Sequence, residues 1–225
     1  MQQIPLPLPH DAAMGADDFL VTSCNREAAA WVGKWPDWPA HGLILTGPAG
    51  CGKTHLLHLW LAKSGGALVT LDELIAQDCV SLTAKTQAIA LDDADAVAGH
   101  DKAEESLFHL YNHLQSIHGW LLLTMTRGAG LAPIVLPDLR SRLLTLPAAA
   151  LHDPDDALLE ALIVKQFRDR QVALDAEVVA YLAPRMPRDA AGIRDLVERL
   201  DRAALAAGRK ISIALARNVL EGHDV

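Results

Sequence analysis

Eight consecutive residues, Gly47-Pro48-Ala49-Gly50-Cys51-Gly52-Lys53-Thr54, fit the spacing G-x-x-x-x-G-K-[ST] of a phosphate-binding P-loop. The glycines let backbone N–H groups close around phosphate oxygens, and a helix beginning at the loop adds partial positive charge. Lys53 can reach β- and γ-phosphates, and Thr54 can hold Mg²⁺. A second element suits the same chemistry. Ala88-Ile89-Ala90-Leu91 is an apolar run that ends in Asp92-Asp93. One carboxylate there can hold Mg²⁺, directly or through water, and the next can orient an attacking water.

Three further segments carry groups that phosphoryl chemistry uses. Thr124-Met125-Thr126-Arg127 is the polar end of an apolar run, where a residue that senses a γ-phosphate can sit; from spacing alone a plain strand-to-loop transition serves as well. Asp138-Leu139-Arg140-Ser141-Arg142-Leu143 offers arginines that could neutralise transition-state charge. Taken alone, it reads as an amphipathic helix end with two solvated arginines. Gly192-Ile193-Arg194-Asp195-Leu196 places Arg194 where it could reach back to phosphates; unaided, a surface salt bridge serves as well. His109 and His113 stand four apart, a spacing that can bind metal. No acidic third ligand accompanies them, so they are expected to flank an apolar stripe.

The elements that must position these groups alternate. Gly42–Thr46 is strand-like and leads into the loop; Thr54–Leu61 reads as helix. Short strands are expected at Ala67–Val69, Ala88–Leu91 and Trp120–Thr124, with a helix over about 103–117. Ser23 is expected to cap a helix running to about Val32. Alternating βα units imply a parallel sheet covered by helices. After Asp153 the strand pattern stops, and helices are expected near 155–169, 175–183, 189–207 and 212–221. Trp31, Trp35 and Trp38 fall in a Pro/Gly-punctuated loop and are expected to pack as a wall of the nucleotide pocket. The first residues, Ile4-Pro5-Leu6-Pro7-Leu8-Pro9, favour extended polyproline II.

Composition bounds the class. The chain has 225 residues and a formal charge of −8, which argues against tight autonomous DNA binding. No apolar run reaches the ~18–20 residues of a membrane helix. No secretory signal is evident. The three cysteines, Cys24, Cys51 and Cys79, form no CxxC pair, which suits a reducing cytoplasm.

In combination these motifs resemble the AAA+ domain of the DnaA family. Asp18-Phe19-Leu20-Val21 with Ser23-Cys24-Asn25 resembles its nucleotide-pocket box. Gly52–His58 resembles its loop and helix start, and Phe108–Leu114 its following helix. Leu139-Arg140-Ser141-Arg142-Leu143 resembles the arginine-finger segment, and Ile193-Arg194-Asp195-Leu196 the sensor 2 segment. The resemblance implies an α/β fold: a P-loop AAA+ core with a parallel sheet flanked by helices, plus a C-terminal all-α lid. It implies that ADP or ATP with Mg²⁺ is held by Asn25, Pro48, Ala49, Gly50, Cys51, Gly52, Lys53, Thr54, His55 and Arg194. Thr54 and Asp92 would take the metal. Asp92, Asp93, Thr126 and Arg142 would serve catalysis. DnaA carries an acid where this chain has Thr126, so weak or absent intrinsic hydrolysis is expected.

The short segment before Asp92, and a chain that stops soon after the lid, imply DNA contact that is indirect or weak. Gln3-Ile4-Pro5-Leu6-Pro7-Leu8 resembles peptides that dock on the replicative sliding clamp, with Gln3, Ile4, Leu6 and Leu8 as contacts. A clamp peptide before such a core resembles the Hda family of DnaA inactivators. The expected organisation is an extended clamp-binding tail over 1–16, a nucleotide-binding part over 17–150 and a helical lid over 151–225. The expected partners are DnaA and the clamp, with homo-oligomerisation open to it and no membrane. The alternative is an autonomous AAA+ ATPase such as a helicase loader.

Overall fold

The computed structural model describes residues 19–222; the tail positions Gln3, Ile4, Leu6 and Leu8, and Asp18, lie outside them. Five parallel strands form one sheet in the order β2-β3-β4-β1-β5. They are β1 (Gly42–Thr46), β2 (Ala67–Leu68), β3 (Ala88–Leu91), β4 (Trp120–Met125) and β5 (Ala148–Ala150). β1, β3 and β4 are apolar because both of their faces are covered. α1 (Arg26–Gly33) and α2 (Lys53–Ser64) cover one face, where Leu43, Leu45, Leu56, Leu57 and Trp60 are buried together. α5 (Asp101–Ser116) and α6 (Pro137–Leu144) pack on the other, where Ile44, Ile89, Leu107, Leu110, Leu121 and Leu139 are buried. The register Leu91↔Leu123 and Leu45↔Thr124 sets the ends of β3, β4 and β1 side by side, so everything that follows those strands emerges on one rim.

Several expectations are corrected. α1 begins at Arg26 with Asn25 as its N-cap residue, not at Ser23. The Ser23 hydroxyl is turned away to donate to Asp155 Oδ2 at 2.5 Å. The short segment between β2 and β3 still winds into α3 (Leu71–Ala76) and α4 (Cys79–Leu82). Each has a local signal: Thr70 and Glu73 form a capping box, and the Asp78 side chain accepts from the Ser81 N–H. Trp35 and Trp38 do not line the phosphate end. They cluster with Trp60 and Trp120, and Trp38 lies nearly parallel to Trp60 at 5.8 Å. Trp120 begins β4, so this cluster fills the end of the sheet opposite the loop after β1. His109 is exposed, and His113 Nε2 pairs with Thr83 Oγ1 at 3.0 Å; no metal-holding group of three occurs among the described residues.

Beyond β5 the chain is helical: α7 (Asp156–Asp169), α8 (Ala176–Leu182), α9 (Ala190–Ala207) and α10 (Ile213–Leu220). They bury their own cluster around Leu159, Phe167, Leu182, Val197, Leu200 and Leu215. None of the described helices is long and apolar enough to cross a membrane.

Candidate nucleotide site

The phosphate loop joins β1 to α2, and its shape depends on glycine at three places. Gly47, Gly50 and Gly52 have φ of 155°, 78° and 102°, the left-handed side that a Cβ disfavours. A Cβ on Gly47 would lie 2.4 Å from the Leu151 carbonyl oxygen, and one on Gly50 would lie 2.9 Å from Asp189 Cβ. Cys51 fills the space beneath the loop, and burial raises its thiol pKa against the pull of Lys53. A thiol held protonated is a packing group, not a nucleophile.

α2 starts at Lys53 with no side-chain cap and no acid in its first turn. Its first N–H groups therefore point out of the helix with no partner supplied by a cap. Lys53 is 6% exposed, and its ammonium donates to the Gly47 and Pro48 carbonyls at 2.8 and 2.9 Å. Among the described residues no carboxylate pairs with it. A buried cation held only by neutral oxygens, beside open helix N–H groups, fits an anion such as a polyphosphate.

Asp92 joins loop and sheet. Thr54 Oγ1 donates to its Oδ2 at 2.8 Å. Thr124, fully buried on β4, donates its hydroxyl to Asp92 Oδ1 and accepts the Asp93 N–H at 2.8 Å. Asp93 itself is left-handed at φ 49°, a conformation that aspartate tolerates better than most residues, with its side chain exposed. Thr54 and Asp92 thus stand together as a hydroxyl and a carboxylate suited to Mg²⁺. Thr126, expected as the sensing residue, is exposed, and its N–H is taken by Asp95. The threonine brought onto Asp92 is Thr124. A hydroxyl inside the otherwise apolar run Leu121-Leu122-Leu123-Thr124-Met125 was the available signal.

The chain before α1 closes over the loop. Phe19 meets the His55 ring edge-on at 5.2 Å. Asn25 is 2% exposed and spends its amide locally: Oδ1 accepts the Thr22 N–H, and Nδ2 donates to the Leu20 carbonyl, each at 2.9 Å. It shapes this segment. On the lid side, Asp189 caps α9 through the Gly192 N–H at 2.8 Å, and its Cβ approaches Gly50. Arg194 is one turn further along α9 and exposed. The link from core to lid is held by Arg188, which donates to Asp156 and to the Pro154 carbonyl, both at 2.9 Å. Sequence reading did not single out Arg188. Arg142 lies on α6, away from this cluster of contacts; Leu139 and Leu143 face the core and the guanidinium is exposed. Among the described residues no acid pairs with Arg142 or Arg194.

Residues 155–220 match the model of the Hda lid domain. Over 229 aligned residues the chain is 25% identical to the chromosomal replication initiator protein DnaA of Thermomicrobium roseum, covering 92% of this chain and 49% of that protein. The chain therefore spans about half the length of the curated relative it matches. Its fold superposes on domain III of the Thermotoga maritima replication initiation protein DnaA with a TM-score of 0.80 at 19% identity, covering 96% of this chain and 99% of that one. AMPPCP-bound DnaA from Aquifex aeolicus gives a TM-score of 0.69 at 18% identity, over 84% of this chain and 67% of that one. A phosphate loop and acid pair on a sheet of this order thus share their fold with DnaA domain III, and the helical part that follows is similar to an Hda lid.

Proposed function

We propose that this chain is a nucleotide-holding regulator of DnaA, which docks on ATP-bound DnaA and promotes hydrolysis of that partner's ATP. The observation that carries the reading is an Hda lid continuous with a DnaA-like core. The exposed and unpaired Arg142 supplies the group the reaction needs. On docking head to tail, its guanidinium reaches the partner's γ-phosphate and neutralises charge that develops in the transition state.

The chain's own cradle holds ADP or ATP. Backbone N–H groups of residues 49–54 bind phosphate oxygens, and Lys53 exchanges loop carbonyls for phosphate. Thr54 and Asp92 hold Mg²⁺, which when bound offsets charge on the phosphates. Arg194 closes the lid side. Nucleotide-dependent closure then presents Arg142, so the ligand acts as a conformational effector. Gln3, Ile4, Leu6 and Leu8 dock on a DNA-loaded sliding clamp, which concentrates the chain where DnaA is to be switched off.

The test is hydrolysis of ATP prebound to DnaA, measured with this chain added, with and without loaded clamp. Stimulation that requires the clamp and is lost when Gln3 and Leu6 become alanine supports the reading. Unchanged hydrolysis in every condition overturns it.

A further inference from the structure

Glu104 is a buried acid that the chemistry above does not use. It lies in the first turn of α5, is 2% exposed and meets no cation among the described residues. Its oxygens are occupied by backbone donors instead. Gly99 N–H donates to Oε1 at 2.7 Å, Val135 N–H lies 3.0 Å from both oxygens, and Leu136 N–H donates to Oε2 at 2.6 Å. Burial pushes the carboxyl pKa up, but the Leu136, Val135 and Gly99 amides outweigh it and hold the group below the usual glutamate range.

These donors belong to two segments. Gly99 lies two residues beyond the turn Ala94–Val97 that follows Asp92 and Asp93. Leu136 is the N-cap residue of α6; its side chain has no acceptor, and Pro137 after it has no N–H. Asp95, in the same turn, takes the Thr126 N–H. The chain from 126 to 136 is thus pinned at both ends to the turn behind the nucleotide-site acids, and α6 is seated by a carboxylate from another helix.

We propose that Glu104 is the positioning residue for Arg142: it fixes α6 against the acidic turn, so that the guanidinium's placement follows the chain's own nucleotide site. This rests on Arg142 acting on the partner's ATP.

Glu104→Gln keeps size and one acceptor but aims an amide donor at N–H groups. The expected result is a split. The maximal stimulated rate of DnaA-bound ATP hydrolysis falls roughly tenfold to a hundredfold, as misplacement by about an ångström predicts. The half-saturating concentration and the chain's own ADP affinity stay within about twofold. Amide hydrogen exchange across 135–144 rises, while that across 53–64 does not. A loss of fold would move all of these together. Val135→Pro deletes one donor from the opposite side, at a side chain 67% exposed, and should give the same split. Wild-type maximal rate, or unchanged exchange over 135–144, in the two variants overturns the proposal. Arg142→Ala run in parallel separates the failures. If it loses stimulation and the Glu104 and Val135 variants do not, only the positioning role falls. If it keeps stimulation, the finger and the positioning role fall together.

Discussion

The phosphate cradle and the helix bearing Arg142 stand in contrast. In the cradle, the key polar side chains are answered within the chain, with Thr54 and Thr124 on Asp92, Asp93 N–H on Thr124 and Lys53 on two loop carbonyls, while the open helix N–H groups are not. On α6 the backbone is tightly seated, yet Arg140 and Arg142 are exposed and no acid pairs with them among the described residues. One region is complete apart from a small anion. The other is a rigid base that presents charge to something outside the chain. That contrast is what the proposed function asks for: one nucleotide held and another acted on.

The largest expected effect breaks this contrast at its exposed end. Arg142→Ala should lower stimulated hydrolysis on DnaA by about 10³-fold, the lower end for an arginine finger. Own-site ADP affinity, read by fluorescence titration, should stay within twofold because no cradle group touches Arg142. An equal loss in both assays would mean that the two regions are not separate. Lys53→Ala is the converse. It should weaken ADP binding roughly tenfold to a hundredfold, the value of one charge-assisted hydrogen bond, and lower stimulation only as far as nucleotide occupancy falls.

Thr124→Val sharpens the comparison inside the cradle. The hydroxyl bridges Asp92 and the Asp93 N–H in a fully buried position. Its loss leaves a carboxylate oxygen and an amide unanswered, at about 1–3 kcal/mol in denaturant unfolding. Thr126→Ala, at an exposed side chain, should stay within about 0.5 kcal/mol. If the two variants are equally damaging, the central role of Thr124 is wrong.

What was legible in the sequence follows from how locally each feature is encoded. The loop, its flanking strand and helix, and the acidic end of β3 are contiguous motifs, and the structure brings Thr54 onto Asp92. The four lid helices were also legible, because they have apolar periodicity and three of them have a capping side chain, Asp155, Asp189 or Ser212. The rest was encoded between segments. β5 is three alanines that carry no strand preference and are held by pairing with β1. Ser23 looked like a cap because its type suits one; its hydroxyl is instead claimed by an acid 132 positions away. Glu104 looked like any acid in a first turn, and only the fold shows three amides converging on it.

The smallest effect tests the seam between the two regions' supports. Asp155 caps α7 through the Leu158 N–H at 2.8 Å and accepts the Ser23 hydroxyl, so one carboxylate serves both the lid and the segment leading to α1. The Ser23 hydroxyl first, then the Leu158 amide, lower its pKa below the ordinary aspartate value. The folded value lies beneath the unfolded one. The stabilisation is therefore complete above the ordinary aspartate value and fades as pH falls through the folded value. Asp155→Ala should cost about 1 kcal/mol at neutral pH, as a lost N-cap does, and should flatten the acid limb of the stability profile. Ser23→Ala removes the tether but leaves the cap, so it should cost less and move that limb toward higher pH. If Ser23→Ala matches Asp155→Ala at neutral pH, the tether between segments outweighs the cap, and the lid's attachment to the cradle is stronger than its own first turn.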